Sequence, residues 1–181
     1  CATARAFGRE ITGREIMDIA IAIEPSDGIA FSGLAHVSHT TGELFGQYAN
    51  VPLFPISIFD VGGEVDTIAY YQSKGNSGNQ DEIYRDLLAK VTHAFYAAER
   101  QKEEMLGQVA TASARLNQAH LEKPQLEEFI RAAQDQGALG ILMAHSGTVV
   151  GALWSTEMKS DVIEEKTSAL AAAFEGRYRF M

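Results

Sequence analysis

Leu139-Gly140-Ile141-Leu142-Met143-Ala144-His145-Ser146-Gly147-Thr148-Val149-Val150-Gly151-Ala152-Leu153-Trp154 holds two apolar runs around a turn of small polar residues. Leu139 to Ala144 and Val149 to Trp154 therefore predict two paired strands joined by a hairpin turn. Upstream, Pro124 suits the first turn of a helix that Gly137 ends. Downstream, a helix over about Val162 to Phe174 stops at Gly176, and Tyr178 to Met181 begins another strand. Further back, Phe54 to Val61 is rich in β-branched and aromatic residues, which predicts a buried strand ending at Gly62-Gly63. Ser73 to Asn79 reads as an exposed loop. Ile83, Leu87, Leu88, Val91 and Phe95 mark an amphipathic helix, and Met105, Val109 and Leu116 a second one, kinked near Gly107. The order from Phe54 is strand, helices, strand, strand, helix, strand. That is the split β-α-β order of a ferredoxin-like domain with extra helices in its first crossover, an α+β sandwich on an antiparallel sheet.

Residues 1–53 do not belong to that order and are expected to be the remnant of another unit, leaving 54–181 as the ferredoxin-like one. Thr12-Gly13-Arg14-Glu15 fits a capping box. Ile16, Ile19, Ala20 and Ile23 follow the helical period, so a short helix is expected to end near Pro25. Ile29 to Phe31, Leu34 to Ser38 and Glu43 to Tyr48 read as short extended segments, with His39-Thr40-Thr41-Gly42 as the turn between the last two. The chain opens on Cys1 rather than Met. A lipid-bearing first residue lacks the expected polar tether, and a processed nucleophile sits poorly before Ala2 to Phe7. That stretch reads as a helix tail ending at Gly8 without an N-cap, which predicts a chain cut inside an element.

Composition narrows the function classes. Of 181 residues, 46% are hydrophobic, enough for a sizeable core, and 15 Lys and Arg against 24 Asp and Glu give a net charge of −9. An acidic surface argues against a nucleic acid as main partner. No stretch approaches a membrane span, and one cysteine rules out an internal disulfide, so a cytoplasmic location is expected. No motif encodes an oligomeric state.

Several stretches carry candidate chemistry. Glu24-Pro25-Ser26-Asp27-Gly28 reads either as a helix exit with Asp27 bonded to its own turn, or as a carboxylate presented at an element boundary to orient or deprotonate a hydroxyl. Gly137 to Gly151 reads either as a plain hairpin, or as a turn whose backbone N–H groups and Ser146 and Thr148 hydroxyls meet an anion. Neither G-x-G-x-x-G after a strand nor a Walker loop is present. His145 and Ser146 are adjacent, which in a strand points them to opposite faces and gives no support to a nucleophile–base pair. His36 and His39 are likewise unsuited to share a metal, and His93 and His120 fall in helical patterns. Asp60-Val61-Gly62-Gly63-Glu64-Val65-Asp66-Thr67 offers three carboxylates to a cation or an ammonium, or is a solvated loop. The charge run Glu99 to Glu104 reads as a solvated helix face.

In this order, Ile23-Glu24-Pro25-Ser26-Asp27-Gly28 and Ala144-His145-Ser146-Gly147-Thr148 resemble the later part of a GHMP kinase. Together with Gly-Gly-Glu-Val-Asp-Thr they are most similar to the subgroup of L-threonine kinases of cobalamin biosynthesis. The resemblance implies phosphoryl transfer from ATP with Mg²⁺ to a substrate hydroxyl, with L-threonine as the small-molecule acceptor and homoserine or another small alcohol as the alternative. It implies Asp27 as the catalytic base or orienter, with Ser26, Gly28, His145, Ser146, Gly147 and Thr148 around the substrate. The family's Pro-x-x-x-Gly-x-x-Ser-Ser nucleotide loop does not occur in the sequence, and no magnesium ligand is identified. The expectation is then an inactive C-terminal portion of a kinase, or, from a different class, a non-catalytic metabolite-binding module on the same fold.

Overall fold

The computed structural model describes residues 4, 6–66, 78–144 and 147–181. The chain divides into two compact units, Cys1–Val51 and Pro52–Met181. In the first, Thr12 caps helix α1 (Gly13–Ile21): its hydroxyl accepts the Glu15 N–H while the Glu15 carboxylate accepts the Thr12 N–H at 2.8 Å, the expected reciprocal box. The helix ends at Ile21, earlier than Pro25. Its apolar period is broader than its buried face, for Met17 is buried while Ile19 and Ile23 are exposed. Strands β1 (Leu34–Val37) and β2 (Leu44–Tyr48) form an antiparallel hairpin. Its turn packs on α1, with Arg14 donating to the Gly42 carbonyl at 2.9 Å. Ile29 to Phe31 is a turn rather than a strand, because Phe31 N–H donates to the Gly28 carbonyl at 3.0 Å and folds the segment back.

The second unit is built on a four-stranded antiparallel sheet of β3 (Ile56–Asp60), β4 (Gly140–Met143), β5 (Val149–Leu153) and β6 (Arg179–Phe180), in spatial order β4-β5-β3-β6. With helices α2 (Gly78–Ala94), α3 (Glu99–Asn117) and α4 (Leu126–Asp135) in the first crossover and α5 (Ser160–Ala173) in the second, this is the ferredoxin-like order. Within the loop expected at Ser73 to Asn79, Gly78 and Asn79 start α2; residues 73–77 lie outside the described residues.

One face of the sheet carries the core. Ser57, Phe59, Ile141, Val150 and Ala152 are buried beneath Leu126, Phe129 and Ile130 of α4 and Leu170 of α5. Phe129 is the hub, in edge-on contact with Phe59 and Phe174 at centroid distances of 5.2 and 5.3 Å. Buried Trp154 donates from Nε1 to Ser57 Oγ at 2.7 Å, and Ser57 in turn pairs with Thr167 of α5. The expectation of a wholly buried β3 is corrected, since Ile56 and Ile58 point to the other face and remain partly exposed. Gly137 ends α4 as expected: its N–H bonds the Gln134 carbonyl and the Ala138 N–H that of Ala133, the paired closure of a Schellman turn. Pro124 instead precedes the helix, whose N-cap is a left-handed Gln125.

Gly107 does not kink α3, which runs unbroken from Glu99 to Asn117. Its purpose is proximity: a Cβ on Gly107 would lie 2.4 Å from the Leu139 carbonyl oxygen, and one on Gly140 only 2.0 Å from the Gly107 oxygen. One turn on, Thr111 donates to the Gly107 carbonyl at 3.0 Å and accepts the Ile141 N–H at 2.9 Å. Thus α3 closes the open edge of β4. The stripe it buries is small and polar, including Glu103, Gly107, Thr111 and Ala114, rather than Met105, Val109 and Leu116. The charge run is corrected too. Glu103 is buried and accepts from Ser155 Oγ at 2.8 Å and from the Thr156 N–H and hydroxyl, while Lys102 is buried against Phe95 and pairs with Glu99.

Gly140→Ala is expected to cost at least about 3 kcal/mol, because backbone rather than a flexible side chain blocks the new methyl. Urea unfolding measures it, and a loss below about 1 kcal/mol would mean that the helix shifts freely. Lys123 supplies a second test, being 2% exposed with an Nζ that has no hydrogen-bond partner among the described residues. Lys123→Met is expected to stabilise the chain by about 1–3 kcal/mol at neutral pH. Burial holds the ammonium below its ordinary value of 10.5, so as pH falls the unfolded chain takes up the proton first and the wild type loses stability. The advantage of the variant therefore shrinks as pH rises towards 10.5, and a gap unchanged with pH would contradict the assignment.

Candidate functional site

The Glu24 to Gly28 stretch lies in the first unit, directly after α1. Its backbone is pinned to the hairpin by Ser26 N–H donating to the His39 carbonyl at 3.0 Å, and the Ser26 hydroxyl turns back to the Glu24 carbonyl at 3.1 Å. Gly28 sits against the hairpin, where an added Cβ would meet Val37 at 3.1 Å and Ala35 at 3.3 Å. Between these two anchored residues Asp27 is exposed. Ser26 and Gly28 thus act first as the mount that fixes Asp27. His36, in the same hairpin, packs against Phe45 with the rings tilted and their centroids 4.9 Å apart.

In the second unit, the turn between β4 and β5 and the exit of β3 meet at one end of the sheet, because Asp60 pairs in register with Val149. Of the expected turn residues, Gly147 and Thr148 are described; His145 and Ser146 lie outside the described residues. The Thr148 carbonyl accepts the Val61 N–H at 2.9 Å, and its hydroxyl bonds the Asp60 carboxylate. Asp60 Oδ1 also accepts the Gly62 N–H at 2.9 Å, and Oδ2 accepts from Arg179 Nη2 at 2.8 Å across the β3–β6 pair. The Thr148 hydroxyl, then the Gly62 N–H and the Arg179 guanidinium, hold this carboxyl below the usual carboxylate range. Asp60 is therefore an anchored anion. Glu64 and Asp66 do not join it as a metal centre, for no group of three His, Cys, Asp or Glu converges among the described residues.

Beside Asp60 lies an open groove of about 600 Å³, lined by Gly62 and Gly63 on one side and by Glu175, Gly176, Arg177 and Arg179 on the other. The sequence offered no signal for Glu175, which follows α5, or for Arg179, which lies on the short β6. Only the β3–β6 register brings Arg179 to Asp60.

Residues 94–172 match the family model described as GHMP kinases C terminal. This stretch is similar to the C-terminal domain of GHMP kinases. The chain is 24% identical over 152 residues to the L-threonine kinase of Citrobacter freundii, an alignment covering 83% of this chain and 52% of that protein. It thus spans about half the length of this curated relative. In fold it is similar to the Methanococcus jannaschii mevalonate kinase, with a TM-score of 0.65 at 16% identity, covering 99% of this chain and 60% of that one. A homoserine kinase from Cytophaga hutchinsonii gives 0.64 at 15% identity, covering 96% of this chain and 58% of the other. The ferredoxin-like sheet, its β4–β5 turn and the exit of β3 thus lie in a fold similar to that of these two kinases.

Thr148→Val is expected to move the Asp60 carboxyl upward towards its ordinary value, since the largest cause of its depression is removed. A ¹³C-detected titration of the Asp60 carboxyl checks this. An unmoved midpoint would mean that the turn and β3 are not coupled.

Proposed function

We propose that this chain is the acceptor-binding part of an ATP-dependent kinase that phosphorylates the side-chain hydroxyl of L-threonine. The observation that carries the reading is the likeness to an L-threonine kinase over 83% of the chain, joined to the GHMP match at residues 94–172. Phosphoryl transfer asks little covalent work of a protein; it needs the acceptor hydroxyl held still and its proton received as the new bond forms. Asp27 suits the second task, as an exposed carboxylate on a backbone fixed on both sides by the hairpin. Ser26 and Gly28 keep it there. In the other unit, Thr148 bonds the anchored Asp60 and the Val61 N–H, and we assign it, with Gly147, His145 and Ser146, to substrate binding.

ATP would bring the transferred phosphoryl group, and Mg²⁺ its charge neutralisation. Among the described residues no group of three His, Cys, Asp or Glu could hold a cation, and the closely approaching glycines at 107 and 140 are filled by each other's backbone. No step is therefore assigned through these groups.

In the complete parent enzyme, Asp27→Asn is expected to lower kcat by about 10²–10⁴, the usual contribution of a positioned base, with KM for L-threonine changed little. Steady-state kinetics with a thermal melt as folding control tests it. A rate within about twofold of the wild type would remove Asp27 from the proton-handling role.

A further inference from the structure

The groove beside Asp60 has a mixed charge pattern. Arg177 is committed to the fold: Nη1 bonds Gln125 and Glu128 near 3.0 Å, Nη2 reaches the Ala173 carbonyl, and the guanidinium lies over the Phe174 ring at 4.5 Å. Arg179 is not. It gives only Nη2 to Asp60, and its side chain is 77% exposed while that of Asp60 is 17% exposed. A guanidinium carries five donors in a planar fork, so the remainder of this one faces the groove already oriented by its carboxylate partner. Across the turn, Glu175 is exposed and has no side-chain partner among the described residues. Gly62 and Gly63 have positive φ of 76° and 88°, and a Cβ on either would meet nothing within 4 Å, so their backbone lies open to a ligand.

A phosphate or a simple hydroxy acid would meet one cation and two carboxylates here, an unfavourable balance. A zwitterion meets one complement for each of its charges. We propose that this groove is the recognition site for the α-amino-acid head of the substrate, with Arg179 receiving the carboxylate and Glu175 the ammonium. Asp60 acts as the positioning residue for Arg179. The inference rests on the amino-acid acceptor proposed above and adds the residues that would select it.

Three probes separate the two charges: L-threonine, 1-amino-2-propanol, which lacks its carboxylate, and 3-hydroxybutyrate, which lacks its ammonium. Binding to the 181-residue chain is measured without nucleotide, by calorimetry or NMR titration at millimolar concentration, so failure of phosphoryl transfer in the parent leaves the result unaffected. Arg179→Gln is expected to weaken L-threonine and 3-hydroxybutyrate by about tenfold or more and to leave 1-amino-2-propanol unchanged. Glu175→Gln is expected to weaken L-threonine and 1-amino-2-propanol and to spare 3-hydroxybutyrate. Arg179→Lys keeps a cation on Asp60 and guards against loss of fold; it is expected to fall between wild type and Arg179→Gln. Equal losses for all three probes, no effect of either charge, or no saturable L-threonine binding by the folded wild-type chain would each overturn the proposal.

Discussion

The contact that orders the second unit is the meeting of two backbones, Gly107 on α3 and Gly140 on β4. A helix normally stands off a sheet by the length of its side chains, about 10 Å between axes. With no Cβ on either partner, α3 comes close enough for Thr111 to take the free Ile141 N–H, which on an edge strand would otherwise face water or another chain. The outer edge of β4 is then covered. Once β4 is fixed, its pairing with β5 sets Gly140 opposite Leu153, and β5 sets Asp60 of β3 opposite Val149. Each register step transmits the position of the helix to the far end of the sheet, where the turn and the exit of β3 meet.

At that end the interactions are electrostatic rather than steric. Asp60 takes three donors of different origin: a hydroxyl from the turn, a backbone N–H from its own loop and a guanidinium from β6. A carboxylate so satisfied is a poor base, because every bond it accepts favours the charged form. It is a good anchor, and Arg179 bound to it loses less freedom on meeting a ligand than a free arginine would. The same residue that lacks the properties of a catalyst therefore has those of a scaffold.

How far the sequence revealed this depends on the range of each interaction. Local signals held: the Thr12–Glu15 box and the Gly137 closure depend on residues within five positions of one another, and the two strands around Gly147 pair residues no more than 13 apart. The strand order was also legible, since a ferredoxin-like sheet follows from the sequence of element types alone. Failures came where a distant partner decides. The Glu99 to Glu104 run is charged and helical, so nothing local says that Glu103 turns inward to Ser155 and Thr156, over 50 positions away. Gly107 looked like a helix defect because its partner, Gly140, is visible only in the fold. Arg179 and Asp60, 119 positions apart, gave no joint signal at all.

Glycine illustrates why composition alone misleads about a site. A stretch such as Gly137 to Gly151 suggests a loop that admits phosphate, because missing side chains leave room for a ligand. Yet the room at Gly140 is taken by the backbone of Gly107, so that glycine serves packing and is closed to any ligand. Gly62 and Gly63, which carry no nucleotide motif, have open space where a side chain would stand. What distinguishes the two sets is the identity of the nearest neighbour, a tertiary property that no spacing rule contains. Gly62 and Gly63, open where Gly140 is filled, lie beside the oriented guanidinium, and this is the ground for putting the proposed recognition chemistry of this domain at the exit of β3.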